Sequence, residues 1–376
     1  MQASQGDKAT FKLSMLETGF YDHSIYEVFV FDGDNFMEGE YIGRLSRLLK
    51  LINFRSDSSS FTFLNLYRTP STSYVFGNDW SKVKDLAQYN TWVIDPIKET
   101  KGYLYNMENK DDAYYTFFCD ECTSFYIESL LFDPSISNDS LGYLEVSGMS
   151  PTQRLPPILN YTISQFTNSS LPQLISSSIA TFHTHKCGIV LKLRLDEKSD
   201  WFSTASDKKR TVFSPNLWNP DAEPNFDYTF SDPFKVYNFS INLESVRLVN
   251  DGDVLDVEVG SVDGLTTLYR KYTKTSMSNV PIAGVGRYLN LKLAGSKSSE
   301  VILNFEMIDQ DIGQSTKRDE KITSVIPGSV TTPSENTHVS ATTTATAQVT
   351  STSTSTQNIT APKSTSSTVI IFKPFF

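Results

Sequence analysis

Cysteine and histidine are both scarce in this chain, which carries three Cys and four His in 376 residues. Three thiols close at most one bridge and leave one over. No apolar run approaches the ~18 residues that a bilayer-spanning helix needs. Basic residues are outnumbered, 33 Lys and Arg against 43 Asp and Glu, for a net charge of −10. Such a surface repels phosphate backbones, so nucleic acid is not an expected partner. The densest basic run, Lys208, Lys209 and Arg210, reads as a solvated turn. Amphipathic stretches rich in Ala and Leu are rare, which argues against a helical bundle. The local signatures of common enzymes are missing too: no G-x-S-x-G, no H-E-x-x-H, no phosphate loop. No catalytic residue is therefore assigned, and the chain is not expected to be an enzyme; the alternative is a secreted hydrolase whose β-sandwich active site carries no local signature.

What the chain has in quantity is aromatic residues, with 25 Phe, 18 Tyr and 4 Trp. These favour pleated, half-buried strand surfaces. Short β-rich runs alternate with turn signals. Residues 26–31 (YEVFVF) run into Asp-Gly-Asp-Asn, and residues 48–54 (LLKLINF) and 61–67 (FTFLNLY) flank a Ser-rich loop. Residues 79–90 are the best helical candidate in the first hundred. An internal repeat follows. Residues 125–131 (FYIESLL) match 241–248 (INLESVRL), 143–148 (YLEVSG) match 255–260 (LDVEVG), and 190–193 (VLKL) match 289–293 (LNLKL). Between the copies, residues 200–234 are rich in Asp, Asn, Pro and Ser and read as an irregular linker.

The C-terminal segment changes character. From about residue 324 to 368 it is dominated by Ser and Thr with interspersed Pro and almost no charge. Such a chain cannot bury enough apolar area to offset its entropy, so it is expected to be disordered, as a mucin-like stalk. Residues 368–376 are apolar again but short and include Lys373. They read either as the start of a missing membrane anchor or as a sticky terminus. N-x-Ser/Thr sequons at Asn138, Asn160, Asn168, Asn238 and Asn358 predict glycosylation and hence passage through the secretory pathway.

The first 25 residues contain no signal peptide, which conflicts with that placement unless the chain is a fragment. The cysteines allow two readings. In one, Cys187 bridges to Cys119 or Cys122. In the other, the Cys119–Cys122 pair joins His183, His185 and Cys187, which share a face on an ideal strand, to hold zinc. The bridge is the expected outcome.

Residues 26–67 resemble the second half of a CUB domain. The strand ending in Asp32-Gly33, the element Ile42-Gly43-Arg44, the loop Phe54-Arg55-Ser56-Asp57-Ser58-Ser59 and a last strand at 61–67 follow in the family's order. The repeats downstream are similar in style to CUB-like domains of nematode secreted proteins. The resemblance implies tandem all-β, antiparallel jelly-roll sandwiches, an extracellular setting, and binding of proteins or glycans without catalysis. For the nematode group it also implies a link to responses against microbes. Many CUB domains bind calcium, which implies Asp57 as a ligand with Glu17 and Asp22 nearby; the alternative for Asp57 is a turn cap. The expected division is a truncated unit with connecting segment at 1–112, a CUB-like unit at 113–199, a linker at 200–232, a second unit at 233–312 and the stalk at 313–376.

Overall fold

The computed structural model describes residues 1–15, 23–48, 55–66, 73–106, 110–133, 141–153, 155–195, 201–261, 264–274, 281–310 and 369–371. The strands are β1 (Ala9–Met15), β2 (Val28–Asp32), β3 (Glu40–Arg44), β4 (Phe61–Asn65), β5 (Ser73–Asp79), β6 (Tyr89–Val93), β7 (Thr100–Leu104), β8 (Asp112–Phe118), β9 (Phe125–Asp133) and β10 (Tyr143–Gly148). They continue as β11 (Pro157–Thr162), β12 (Gln173–Ile175), β13 (Ile179–His185), β14 (Gly188–Arg194), β15 (Lys208–Phe213), β16 (Phe226–Ser231), β17 (Tyr237–Arg247), β18 (Val254–Gly260), β19 (Thr266–Thr273), β20 (Ile282–Gly286), β21 (Tyr288–Ala294), β22 (Glu300–Asp309) and β23 (Val369–Ile371). The α-helices are single turns: α1 (Leu45–Leu48), α2 (Trp80–Val83) and α3 (Pro215–Trp218). The expected helix at 79–90 thus shrinks to α2, because β6 already begins at Tyr89. Leu48, expected in a strand, ends α1, and residues 49–54 lie outside the described residues.

Strand order establishes the fold. The middle sandwich has one sheet ordered β12-β9-β14-β7 and another ordered β11-β10-β13-β8, with β6 added parallel to β8. The C-terminal sandwich has β15-β22-β17-β20 facing β16-β21-β18-β19. Numbering β7–β14 and β15–β22 each from one to eight, both read 1-8-3-6 over 2-7-4-5, and every pairing in those eight is antiparallel. That is a jelly roll, a double Greek key rolled into two facing sheets. The N-terminal portion is smaller, with three-stranded sheets β1-β5-β23 and β3-β2-β4 around Phe11, Val28, Val30, Leu45, Phe61 and Val75.

The internal repeat therefore exists, with corrected boundaries. The middle roll begins one strand earlier than expected, since β7 lies in the segment assigned to the first unit, and the C-terminal roll begins two strands earlier, since β15 and β16 lie inside the expected linker. The pattern Ile-Glu-Ser at 127–129 and Leu-Glu-Ser at 243–245 marks the same irregularity in equivalent strands. In β9 the register skips Glu128, and in β17 it skips Glu244, so each glutamate sits in a β-bulge. Strand β14 corresponds to β22, so the similarity of VLKL to LNLKL in β21 joined strands that are not equivalent. Alternating burial also shifts the second match by one residue. Leu144-Glu145-Val146 and Leu255-Asp256-Val257 share the order buried, half-buried, buried.

The two rolls exchange side chains across a seam. Phe213 and Trp218, from the C-terminal half, pack in the middle core, while Tyr126 and Leu174 pack in the C-terminal core. Gly148 makes this approach feasible: a Cβ there would lie 1.8 Å from the Trp218 carbonyl oxygen. Arg210 is also buried in the seam, correcting its reading as a solvated turn. It lies on β15, with Nε donating to the Trp201 carbonyl at 3.1 Å and Nη1 to the Leu171 carbonyl at 3.3 Å.

Candidate functional site

The outer face of the middle roll carries a row of ionisable and aromatic side chains across three strands. In register, Glu145 on β10 faces His183 on β13, which faces Tyr114 on β8; one pair further along, Tyr143, His185 and Asp112 align in the same way. These side chains share a face because strand residues two apart point the same way. His183 lies between two carboxylates, with Nε2 2.8 Å from Asp112 Oδ1 and Nδ1 3.1 Å from Glu145 Oε2. His185 Nδ1 approaches the same Asp112 oxygen at 2.8 Å. The Tyr114 ring stacks on His183 at 4.3 Å and 2°, and Tyr143 stacks on His185 at 4.9 Å and 19°.

The electrostatics follow from this crowding. Burial alone would raise the Asp112 carboxyl, but hydrogen bonds from His185 and His183 outweigh it and hold the group below the usual range. Burial and then the Asp112 charge push the Tyr114 hydroxyl up, and burial with Glu145 does so for Tyr143. The row borders a groove of about 360 Å³. Its other walls come from Lys82 in α2, from Leu86 just after it, and from Pro151, Leu155 and Pro157. In the C-terminal roll the equivalent positions are Asp256, Lys292 and Asp227, with Lys292 Nζ 2.8 Å from Asp227 Oδ2. The middle roll thus has an imidazole where its twin has a permanent ammonium.

Cys187 does not join the two histidines. Lys186 adopts φ 50° in the turn between β13 and β14, which breaks the strand alternation. Cys187 consequently points inward, fully buried, with its Sγ 3.2 Å from the Tyr143 carbonyl oxygen. Burial pushes its thiol up to about 11. The expected bridge to Cys187 is therefore corrected: the disulfide joins Cys119 to Cys122, with a Cα separation of 5.8 Å. It closes the turn carrying the chain from β8 in one sheet to β9 in the other. Among the described residues, no group of three or more His, Cys, Asp or Glu side chains is placed to hold a metal ion.

In the N-terminal portion the two pieces of the CUB-like pattern meet, through Asp32 rather than Asp57. The Asp32 carboxylate accepts from Ser56 Oγ at 2.5 Å, from the Asp57 backbone N–H at 2.6 Å, and from Ser58. Asp57 itself extends into solvent, 91% exposed, with Lys8 Nζ 3.5 Å away. Glu17 and Asp22 lie outside the described residues. Of the sequons, Asn160 and Asn168 are exposed, Asn238 is half-buried on β17, and Asn138 and Asn358 lie outside the described residues. No described helix is long and apolar enough to cross a membrane.

The histidine row was half legible in the sequence. The spacing of His183 and His185 placed them on one face, but their acidic and aromatic partners come from strands 38 and 71 residues away. Only the pairing of β8, β13 and β10 reveals them.

No protein-family model and no curated protein matches this chain. Similar solved structures include the CUB1-EGF-CUB2 domains of rat MASP-1, at 10% identity and a TM-score of 0.19, covering 58% of this chain and 100% of that one. The corresponding domain of human MASP-1/3 is similar at 10% identity and a TM-score of 0.20, covering 55% and 99%. A triple jelly-roll protein of an archaeal virus turret is similar at 8% identity and a TM-score of 0.18, over 82% of this chain and 83% of that one. The jelly-roll description stands on strand order.

Proposed function

We propose that this is an extracellular, non-enzymatic recognition protein of CUB-like type, which binds a protein partner through the groove beside the His183 row. The observation that carries this reading is the occupancy of the row. Both His183 ring nitrogens lie against carboxylates, and no hydroxyl among the described residues bonds to that ring. A general base needs a ring nitrogen directed at the proton it removes. His183 is instead a fixed element of a polar and aromatic surface, of the kind that anchors interfaces. Two carboxylates beside tyrosine rings suit a basic side chain of the partner. The exposed sequons and the disulfide support a secretory setting. The resemblance to nematode secreted proteins adds responses to microbes as the biological context of this reading.

The test has two arms. Expressed behind a heterologous leader in insect cells, the chain should be secreted with glycans on Asn160 and Asn168, read by mass spectrometry. Screened against an array of extracellular proteins, it should bind a partner whose affinity falls at least about tenfold on Glu145→Ala or Tyr114→Ala, as expected for anchor residues. Secretion without glycans would remove the support from the sequons. Partner binding indifferent to both variants would refute the placement of the site.

A further inference from the structure

We infer that the seam between the two jelly rolls is a second binding site, built for a neutral, hydroxyl-rich ligand such as a disaccharide unit of a glycan. A cleft of about 500 Å³ opens there, within the range of pockets that hold small ligands. It has three walls of different origin. The turn stapled by the Cys119–Cys122 disulfide supplies Thr123 and Ser124. The serine run after β12 supplies Ser176 and Ser178. The second roll supplies the rings of Phe202 and Tyr228.

These walls are fixed before any ligand arrives. The Cys119 N–H donates to the Ser178 carbonyl at 2.9 Å, tying the stapled turn to the serine run. Gln173, next to the cleft-lining Leu174, donates from Nε2 to the Thr211 carbonyl of β15 at 3.1 Å and so joins the two rolls beside the cleft. The Tyr228 ring is backed by Phe226, stacked at 5.0 Å and 7°, and flanked by Phe202 at 6.0 Å.

The lining chemistry selects the ligand class. No side chain lining the cleft carries a formal charge, so an anionic or cationic ligand would give up hydration without an ionic partner. Thr123, Ser124 and Ser178 make no side-chain hydrogen bond among the described residues and are at least partly exposed. Each hydroxyl both donates and accepts, as sugar hydroxyls do. The aromatic rings meet the apolar face of a pyranose.

Saturation-transfer NMR and calorimetry on the full chain test this with cellobiose, lactose and diacetylchitobiose, and with a sulfated heparin disaccharide as the anionic comparison. At least one neutral disaccharide should bind saturably and perturb the Tyr228 and Phe202 ring protons. Ser124→Val and Ser178→Val together should weaken it at least about tenfold, about the effect of losing two hydrogen bonds. Valine removes each hydroxyl and adds one heavy atom, so an unchanged unfolding temperature is required to separate lost contacts from lost structure. Tyr228→Ala is a second variant, expected to abolish binding. The inference fails if none of the neutral disaccharides binds saturably below about 10 mM, the weak end of useful affinities. It also fails if the valine variant binds as well as the parent, if the sulfated probe is preferred, or if a Gly-Ser peptide displaces the sugar more effectively than the sugar itself. Glu145→Ala should leave this binding unchanged, which keeps the seam distinct from the His183 groove.

Discussion

Replacing Gly148 with alanine puts a methyl group where the Trp218 carbonyl oxygen already lies. The new Cβ would stand 1.8 Å from that oxygen, 2.5 Å from the carbonyl carbon and 2.8 Å from Cα. All three are backbone atoms, so no rotamer change relieves the clash; α3 must move away from β10. Trp218 is fully buried in the middle core, where its ring meets Phe213 at 5.6 Å. Displacing it forfeits part of the ~3–5 kcal/mol that truncating a core Trp costs, in addition to the ~1–3 kcal/mol typical of overpacking. The expected loss is therefore about 3–5 kcal/mol, read as a shift of the urea midpoint and a red shift of buried tryptophan emission. Gly252→Ala is the control, since a Cβ there meets nothing within 4 Å. It should be neutral or slightly stabilising through the unfolded state. If Gly148→Ala unfolded within about 0.5 kcal/mol of the parent, the size of an ordinary surface substitution, the reasoning on seam packing would be refuted.

Further outcomes follow from the same geometry. Asp253 is buried and accepts from the Val249 and Asn250 N–H groups and from Ser296 and Ser299, so Asp253→Ala should destabilise the C-terminal roll by roughly 2–4 kcal/mol in denaturant titration. Against the opposing effect of burial, those bonds hold its carboxyl far below the ordinary range; its stabilisation is therefore complete above about pH 4 and lost as pH falls below that, an acid limb that Asp253→Asn should flatten. Cys187 should resist iodoacetamide at pH 8 in the native protein and react after unfolding without reductant, while Cys119 and Cys122 react only after reduction. Deleting Glu244, the extra residue of the bulge, should leave the C-terminal roll folded, because the pairs Leu243–Leu303 and Ser245–Ile302 then become consecutive and both ends of β17 keep their faces, whereas deleting the regularly paired Asn242 should move one end of β17 to the wrong face and collapse the roll. Circular dichroism of the two proteins separates these cases.

Alternation of apolar and polar residues identified the fold class because it is local. The repeat was visible because equivalent strands share side-chain demands, down to the glutamate at each bulge. Its boundaries were misplaced because β15 and β16 carry Lys-Lys-Arg and Asp-Tyr-Thr, which look like loop on their own. Arg210 was misread for a related reason: its burial depends on the Leu171 and Trp201 carbonyls, both brought to it by tertiary packing. Cys187 shows the limit of strand periodicity. One residue of positive φ, Lys186, reversed the side on which the thiol lies. The seam cleft had no sequence signal at all, since serines and aromatic residues are common throughout the chain.

The order of strands also governs how this chain can be made. In each roll the first strand pairs with the last: β7 with β14 through Leu104 and Ile189, and β15 with β22 through Lys208 and Met307. Neither roll can close until its whole length has left the ribosome, and synthesis at about 5–20 residues per second makes that a wait of several seconds. During that wait the middle roll also lacks Phe213 and Trp218, which arrive only with the start of its twin. A nascent chain arrested between them presents an unfilled apolar surface, the species most in need of a chaperone.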